Sequence, residues 1–279
     1  MSVGLGIATL LTERHDTTLS LDDPYFYLYF GSAPRPPSYF ALECSQSEVG
    51  RVVRFDSLSK ILSSGIRYLN DTSHGFLRMP FDNTYATSSN QLTFSLVLTG
   101  NTLVHTTILY LHPRSHPFTH SVSQTASANL QPSSLSQVLA LAVLSRWGHQ
   151  GFLTHTQQVS EFYRAKRDIF EAALRRNLDG LVEWDTPEAG MFIWFRILQG
   201  PGSSLGSGQD KQDDSEELIR TKAIEKGVLA LPGTIFLPSG RKTAYARAAF
   251  SVLDEEDVEE AVKRLREAIL DSRGEIGGR

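Results

Sequence analysis

Short β-prone runs in the first part of the chain give way to long amphipathic stretches in the second. Thr17 to Leu21, TTLSL, has strand character and stops at Asp22-Asp23-Pro24, where proline forbids a further ladder donor. Side chains at that strand's end are expected to face a cleft. Arg51 to Phe55, RVVRF, is a second β-prone run, and Ser57 to Lys60 follow it before the Gly65 breaker, a pattern of strand, loop and short helix or turn. Ser134 to Trp147, SLSQVLALAVLSRW, is apolar nearly all round, which predicts a buried helix closed by Gly148. Thr156 to Leu178 reads as a longer amphipathic helix covering a smaller sheet. Its Val159, Phe162, Ile169, Phe170 and Leu174 fall largely at helical spacing, with Arg164, Lys166, Arg167 and Arg175 facing water.

The remaining third alternates between the two periods. Ala189 to Ile197, AGMFIWFRI, has strand character, and Gln199 to Ser215 is a Gly, Ser and Asp rich linker or flexible loop. Ser215 to Lys226 predicts a helix, Val228 to Leu231 a strand and Tyr245 to Ser251 another strand. Asp254 stands at the cap position of a last helix whose Val258, Ala261, Val262, Leu265 and Ile269 form one apolar stripe. Everything after Thr156 therefore reads as an α+β unit.

Composition sharpens this picture in two places. With 279 residues, 41% hydrophobic and 21% charged, the chain is globular and long enough for two modest domains. A net charge of −4 supplies no global pull toward nucleic acid or anionic lipid, so neither is expected as a partner. The lone Cys44 excludes an internal disulfide and a thiolate metal scaffold; with no basic leader ahead of the first apolar residues, a cytoplasmic location is expected. From Tyr68 to Gln124, only Asp71, Arg78, Asp82 and Arg114 carry charge. That segment is too polar to span a bilayer and has no convincing amphipathic period, although Phe94 to Leu98 and Leu103 to Leu111 are candidate strands. Its histidines fall four apart at His112 and His116, and again at His120, but Pro113 and Pro117 break up any helix there, so no metal site is expected.

The residues richest in chemistry are Ser57-Leu58-Ser59-Lys60, Gly65 and Arg67. They place two hydroxyls, an amine and a guanidinium within eleven positions of a strand end. A partly desolvated lysine condenses with carbonyls, while arginine and hydroxyls match phosphate oxygens, so the cluster suits a phosphorylated carbonyl compound. The plain alternative from spacing alone is a surface Lys and Arg around a turn.

SLSKILSSGIR, Ser57 to Arg67, resembles the cofactor-lysine segment of the fold-type I, pyridoxal-phosphate-dependent aminotransferases of class I and II. It is most similar to the fungal aromatic and 2-aminoadipate group, which includes kynurenine aminotransferases. Further segments match in order: Asp22-Asp23-Pro24-Tyr25, NLQPSSLSQ at Asn129 to Gln137, PEAGMFIW at Pro187 to Trp194, GVLALPGTIF at Gly227 to Phe236 and ARAAFS at Ala246 to Ser251. The resemblance implies an α/β fold, here an incomplete fold-type I transferase: a partial large domain with a mostly parallel sheet and a C-terminal α+β small domain. It divides the chain into residues 1–67 and 125–155 of the large domain, an anomalous insert at 68–124, and a small domain at 156–279.

Residue by residue, the resemblance implies pyridoxal 5'-phosphate held by Lys60, which would also move the proton at the substrate Cα. Asp22 would pair with the pyridine nitrogen, and Tyr25 would donate to the cofactor's phenolic oxygen. Ser57 and Arg67 would ligate the phosphate, with Ser59 as a helper. Arg247 would clamp the substrate α-carboxylate. Amino-acid and 2-oxo acid substrates and a homodimer follow from the same resemblance. Two departures accompany it. The family's glycine-rich phosphate loop, ring-stacking aromatic and Asn-Pro motif precede the Asp22 segment and have no counterpart here, which reads as an N-terminal truncation. Tyr68 to Gln124 lacks family likeness, which reads as unspliced or frame-shifted sequence, the alternative being an evolved loop or oligomer contact. The functional expectation is transamination of an aromatic or 2-aminoadipate-type amino acid with a 2-oxo acid acceptor. Its alternative is a catalytically deficient remnant or dimerisation fragment.

Overall fold

The computed structural model describes residues 19–43, 52–62, 94–95, 107–110, 134–198 and 214–274. The chain divides into two units, Met1–Ser160 and Glu161–Arg279.

In the first unit, β1 (Leu19–Asp22) runs parallel to β2 (Val52–Ser57), with Asp22 opposite Phe55. The connection holds a helical turn at Phe26–Leu28 and the short helix α1 (Tyr39–Glu43). Glu43 closes that connection, its Oε1 accepting from the Val52 N–H at 2.9 Å and so satisfying the first donor of β2. Two further strands come from the sparsely charged segment between Tyr68 and Gln124: β3 (Phe94–Ser95) and β4 (Thr107–Tyr110). They pair antiparallel, giving the order β1-β2-β4-β3. Leu28, Phe30, Val52, Leu58, Ile61 and Phe152 form the buried apolar centre of this unit.

Helix α2 (Ser134–Asn177) consists of two helical segments that meet at a kink, where Gly148 is non-helical at φ 60° and ψ −171°, so the first segment ends at the glycine the pattern singles out. Helix resumes at His149, directly after the break and seven residues earlier than the pattern predicts. The expectation of a buried first half is overturned. Leu135, Val138 and Leu139 are 68%, 60% and 58% exposed, and mainly Ala140 and Leu144 are enclosed. An apolar helix surface is buried only where another element covers it, and none of the described elements covers this face.

In the second unit, β5 (Val182–Trp184), β6 (Phe192–Ile197), β7 (Leu231–Pro232) and β8 (Tyr245–Ala249) make an antiparallel sheet of order β5-β6-β8-β7. Period-two alternation buries Ile193 and Phe195 on one face of β6 while Trp194 stays half exposed on the other. Helix α3 (Ser215–Leu218) is capped by Asp214, whose carboxylate accepts from the Glu216 N–H at 2.9 Å, and passes into a π-turn at Ile219–Ala223. Helix α4 (Glu255–Ser272) buries Val258, Val262, Leu265, Ala268 and Ile269; Ala268 joins the expected stripe, while Ala261 is only half-buried.

Four local expectations need correcting. Asp254 sits at the cap of α4 but makes no side-chain cap bond; its carboxylate lies 3.5 Å from Lys166 Nζ instead. Arg167 is buried, because its guanidinium donates to the Pro187 carbonyl and to Asp168. Phe162, placed in the core by its spacing, is 53% exposed. The strand expected at Val228 to Leu231 is reduced to Leu231–Pro232, since the Val228 N–H bonds back to Ala223 and ends the preceding helix.

Candidate active site

The parallel pair β1–β2 decides where the first group of residues stands. Asp22 is the last residue of β1 and Ser57 the last of β2, so both lie at the carboxyl ends of adjacent parallel strands. In open α/β sheets, that edge is where ligands bind. Tyr25 follows Asp22 by three residues and opens the Phe26–Leu28 turn, its carbonyl accepting from the Leu28 N–H at 2.8 Å. Lys60 follows Ser57 by three residues and ends the 3-10 turn Leu58–Lys60. The backbone therefore brings Asp22, Tyr25, Ser57 and Lys60 to one sheet edge. Arg67 lies outside the described residues.

Two apolar anchors hold the lysine turn. Leu58 and Ile61 are buried, Ser59 is buried beside them, and Lys60 is left half-buried between. The Ile61 and Leu62 N–H groups both return to the Leu58 carbonyl, at 3.2 and 2.8 Å. On the strand before it, the buried Arg54 places its guanidinium 4.0 Å from the centre of the Phe26 ring, with Nη2 3.8 Å from Asp23 Oδ2. Arg35 stacks against the same ring at 4.1 Å.

Helix α2 ties both turns down. Ser160 Oγ donates to the Tyr27 carbonyl at 2.8 Å, and Phe152 meets the Tyr27 ring edge-on at 5.2 Å. Three residues from Phe152, His155 Nε2 lies 2.6 Å from the Ile61 carbonyl, directly after Lys60. Sequence reasoning missed Arg54, His155 and Ser160. Arg54 was visible only as a charge inside a β-prone run, and nothing local to His155 or Ser160 points to partners so distant in the chain.

In the second unit, Arg247 occupies the middle of β8, opposite Trp194 of β6 and Leu231 of β7. Its half-buried guanidinium lies 4.0 Å from the Phe192 ring centre and 4.3 Å from that of Phe236. Trp194 stacks on Tyr245 and meets Phe236 edge-on, both at 5.5 Å, so the arginine emerges beside an aromatic group. Such a site holds a planar cation in a fixed orientation. Among the described residues, no cluster of three or more His, Cys, Asp or Glu could hold a metal ion, and no helix is long and apolar enough to cross a membrane.

Aminotransferase tdiD of Emericella nidulans is 35% identical over 257 residues, covering 91% of this chain and 48% of that protein. The mouse mitochondrial kynurenine/alpha-aminoadipate aminotransferase is 31% identical, covering 94% of this chain and 48% of its own length. Over that span this chain is similar in sequence to known aminotransferases. Solved aminotransferase structures share the fold: the alpha-aminoadipate enzyme LysN of Thermus thermophilus, complexed with N-(5'-phosphopyridoxyl)-L-leucine, superposes with a TM-score of 0.68 at 24% identity, over 96% of this chain and 54% of that one. The Pyrococcus horikoshii kynurenine aminotransferase, complexed with PMP, gives 0.66 at 23% identity, over 96% of this chain and 51% of that one. No family model matches the chain. As an aminotransferase homologue, the chain spans about half the length of the curated relatives it matches.

Proposed function

We propose that this chain binds pyridoxal 5'-phosphate through Lys60 and serves transamination of an aromatic or 2-aminoadipate-type amino acid with a 2-oxo acid acceptor. The observation that carries the reading is the position of Lys60: a half-buried amine on a turn at the carboxyl end of β2, beside the parallel strand that ends in Asp22. The donor set fits such a cofactor in its chemistry. Residues of four types stand along one edge, a lysine, an aspartate, a tyrosine and a serine, whose amine, carboxylate, phenol and hydroxyl match an aldehyde, a ring nitrogen, a phenolic oxygen and a phosphate. The names of relatives, a kynurenine/alpha-aminoadipate aminotransferase and an aromatic-amino-acid aminotransferase, support the substrate class.

When bound, the cofactor supplies an electron sink for the pair released as the substrate Cα–H bond breaks. Asp22 would keep the pyridine nitrogen protonated, since a carboxylate favours the charged form of its partner. Tyr25 would donate to the phenolic oxygen, and Ser57 with Arg67 would hold the phosphate. Lys60 would hold the cofactor's aldehyde end and would move the proton at the substrate Cα. Arg247 would bind the substrate α-carboxylate through two parallel hydrogen bonds, fixing which Cα bond is oriented for cleavage.

The second reading is a non-catalytic fragment that docks on a second copy of the chain. The exposed Leu135, Val138 and Leu139 favour it, because an apolar helix face of this kind is suited to a homodimer contact. The same contact belongs to the enzyme reading if the active unit is a dimer. A cytoplasmic location remains part of the proposal; the mouse relative is named mitochondrial.

The purified chain mixed with pyridoxal phosphate tests the two. The enzyme reading expects a new near-visible absorbance band that Lys60→Ala abolishes, with borohydride trapping placing a pyridoxyl group on Lys60. A missing band, or one that survives Lys60→Ala, leaves the fragment reading.

A further inference from the structure

The carbonyl next to Lys60 accepts a hydrogen bond from a side chain on α2. His155 Nε2 stands 2.6 Å from the Ile61 oxygen, 94 residues away in the chain. A carbonyl can only accept, so Nε2 carries the proton and the tautomer is fixed by its partner. The imidazole is itself held from one face by Trp147, with ring centres 4.6 Å apart and planes 31° from parallel.

That stack depends on the break in α2. Trp147 and His155 are eight residues apart, more than two helical turns, which in an uninterrupted helix would separate them by about 12 Å along the axis. Gly148, at φ 60° and ψ −171°, adopts a backbone conformation essentially restricted to glycine and lets the chain before it fold back. Gly151 then leaves the space that the indole stem occupies. A Cβ there would sit 2.9 Å from Trp147 Cβ. Two glycines at these positions make room for one indole, and the indole fixes one imidazole.

We propose that His155 is a positioning residue for Lys60, with Trp147, Gly148 and Gly151 as its support. On its own side, two N–H groups of the lysine turn return to the Leu58 carbonyl. The His155 bond fixes its outgoing end, so the direction in which Lys60 leaves the backbone is set by α2 as well as by β2. The functional consequence rests on the cofactor reading above, in which Lys60 must meet an aldehyde in a defined orientation.

Two measurements on the full chain test this, with three variants. His155→Phe keeps a ring against Trp147 and removes the donor; His155→Gln keeps an N–H donor and removes the ring; Trp147→Leu removes the stack and leaves the donor. In the first, the chain is treated with subsaturating pyridoxal phosphate and borohydride, and the pyridoxyl group on Lys60 is quantified by mass spectrometry. The expected result is a roughly tenfold slower labelling in His155→Phe, the scale of one lost hydrogen bond, with most of it restored in His155→Gln. Equal labelling in wild type and His155→Phe overturns the inference and leaves the cofactor reading standing. In the second, amide hydrogen exchange is followed in the cofactor-free chain. His155→Phe is expected to speed exchange of the Ile61 and Leu62 amides about tenfold, and His155→Gln to restore it. This arm decides the positioning role even where wild type fails to label at Lys60, which sinks the cofactor reading alone. Unchanged exchange overturns the inference. Trp147→Leu is expected to shift both readouts in the same direction by a smaller factor, and it stands in for His155→Phe if that variant does not fold.

Discussion

Arg54 on β2 reaches across the parallel pair to Asp23, the residue after the end of β1, with Nη2 3.8 Å from Oδ2. The guanidinium is almost wholly buried and also lies over the Phe26 ring, while Asp23 is partly open to solvent. This pair ties the middle of β2 to the residue that follows β1, close to the strand end that carries Asp22. Asp23→Ala removes a partner from a buried cation but leaves the aromatic face in place. The expected loss is about 1 kcal/mol of stability, at the low end for buried pairs because one member is wet and the separation long. Urea denaturation measures it, and a change below about 0.3 kcal/mol would show that the pair contributes nothing net.

Gly148→Ala should be costly even though a methyl group there would meet no atom within 4 Å. The penalty comes from the backbone, since φ 60° with ψ −171° is a region that L-residues avoid, at a cost of about 1–3 kcal/mol. The alanine variant is expected to straighten α2 and move the indole of Trp147 off His155. Changed tryptophan fluorescence together with a lower melting temperature is the expected signature; an unaltered emission spectrum would contradict it.

Glu171 is the acid-sensitive point of the second unit. Its Oε1 accepts from Trp184 Nε1 at 2.8 Å, from Thr186 Oγ1 and from Arg175 Nη2 at 3.2 Å. Burial pushes the carboxyl up, but these hydrogen bonds and the charges of Arg175 and Arg167 outweigh it and hold the group below its ordinary 4.5. A carboxyl depressed in the folded state stabilises the fold in full above the unfolded value, and loses that contribution as pH falls through the depressed one. Stability should therefore decline below about pH 4.5, more steeply in wild type than in Glu171→Gln. Midpoints of urea unfolding at several acidic pH values check this. Parallel pH curves for the two proteins would remove Glu171 from the explanation.

Arg247→Lys preserves the charge and discards the planar fork. A lysine ammonium cannot make two parallel bonds to a carboxylate, nor stack flat against Phe192 and Phe236 as the guanidinium does. Under the proposed function, the amino-acid KM is expected to rise by about tenfold or more, while pyridoxyl labelling of Lys60 stays at the wild-type level. An unchanged KM would place the carboxylate clamp elsewhere.

Much of the local structure was legible from residue pattern. Asp22-Asp23-Pro24 marked the end of β1, Gly148 marked a break, and the spacing of Val258, Val262, Leu265 and Ile269 marked the buried face of α4. Lys60 was legible as a chemical candidate because its neighbours are hydroxyls and its segment has a recognisable order. Arg167 and Phe162 were not, since a residue's spacing along a helix says which face it shares but not what lies opposite. Arg167 is drawn in by the Pro187 carbonyl, twenty residues on, and Phe162 stays out.

The sequence by itself determined the periodicities, the turns and the residue types available for chemistry, because these depend on backbone preference and hydrophobicity within a few positions. Tertiary structure alone decided that Asp22 and Ser57 end neighbouring parallel strands, that Arg54 meets Asp23, and that His155 holds the carbonyl beside Lys60. Those meetings depend on how distant segments cross in space. A hydrogen bond spanning 94 residues leaves no mark on the local pattern at either end.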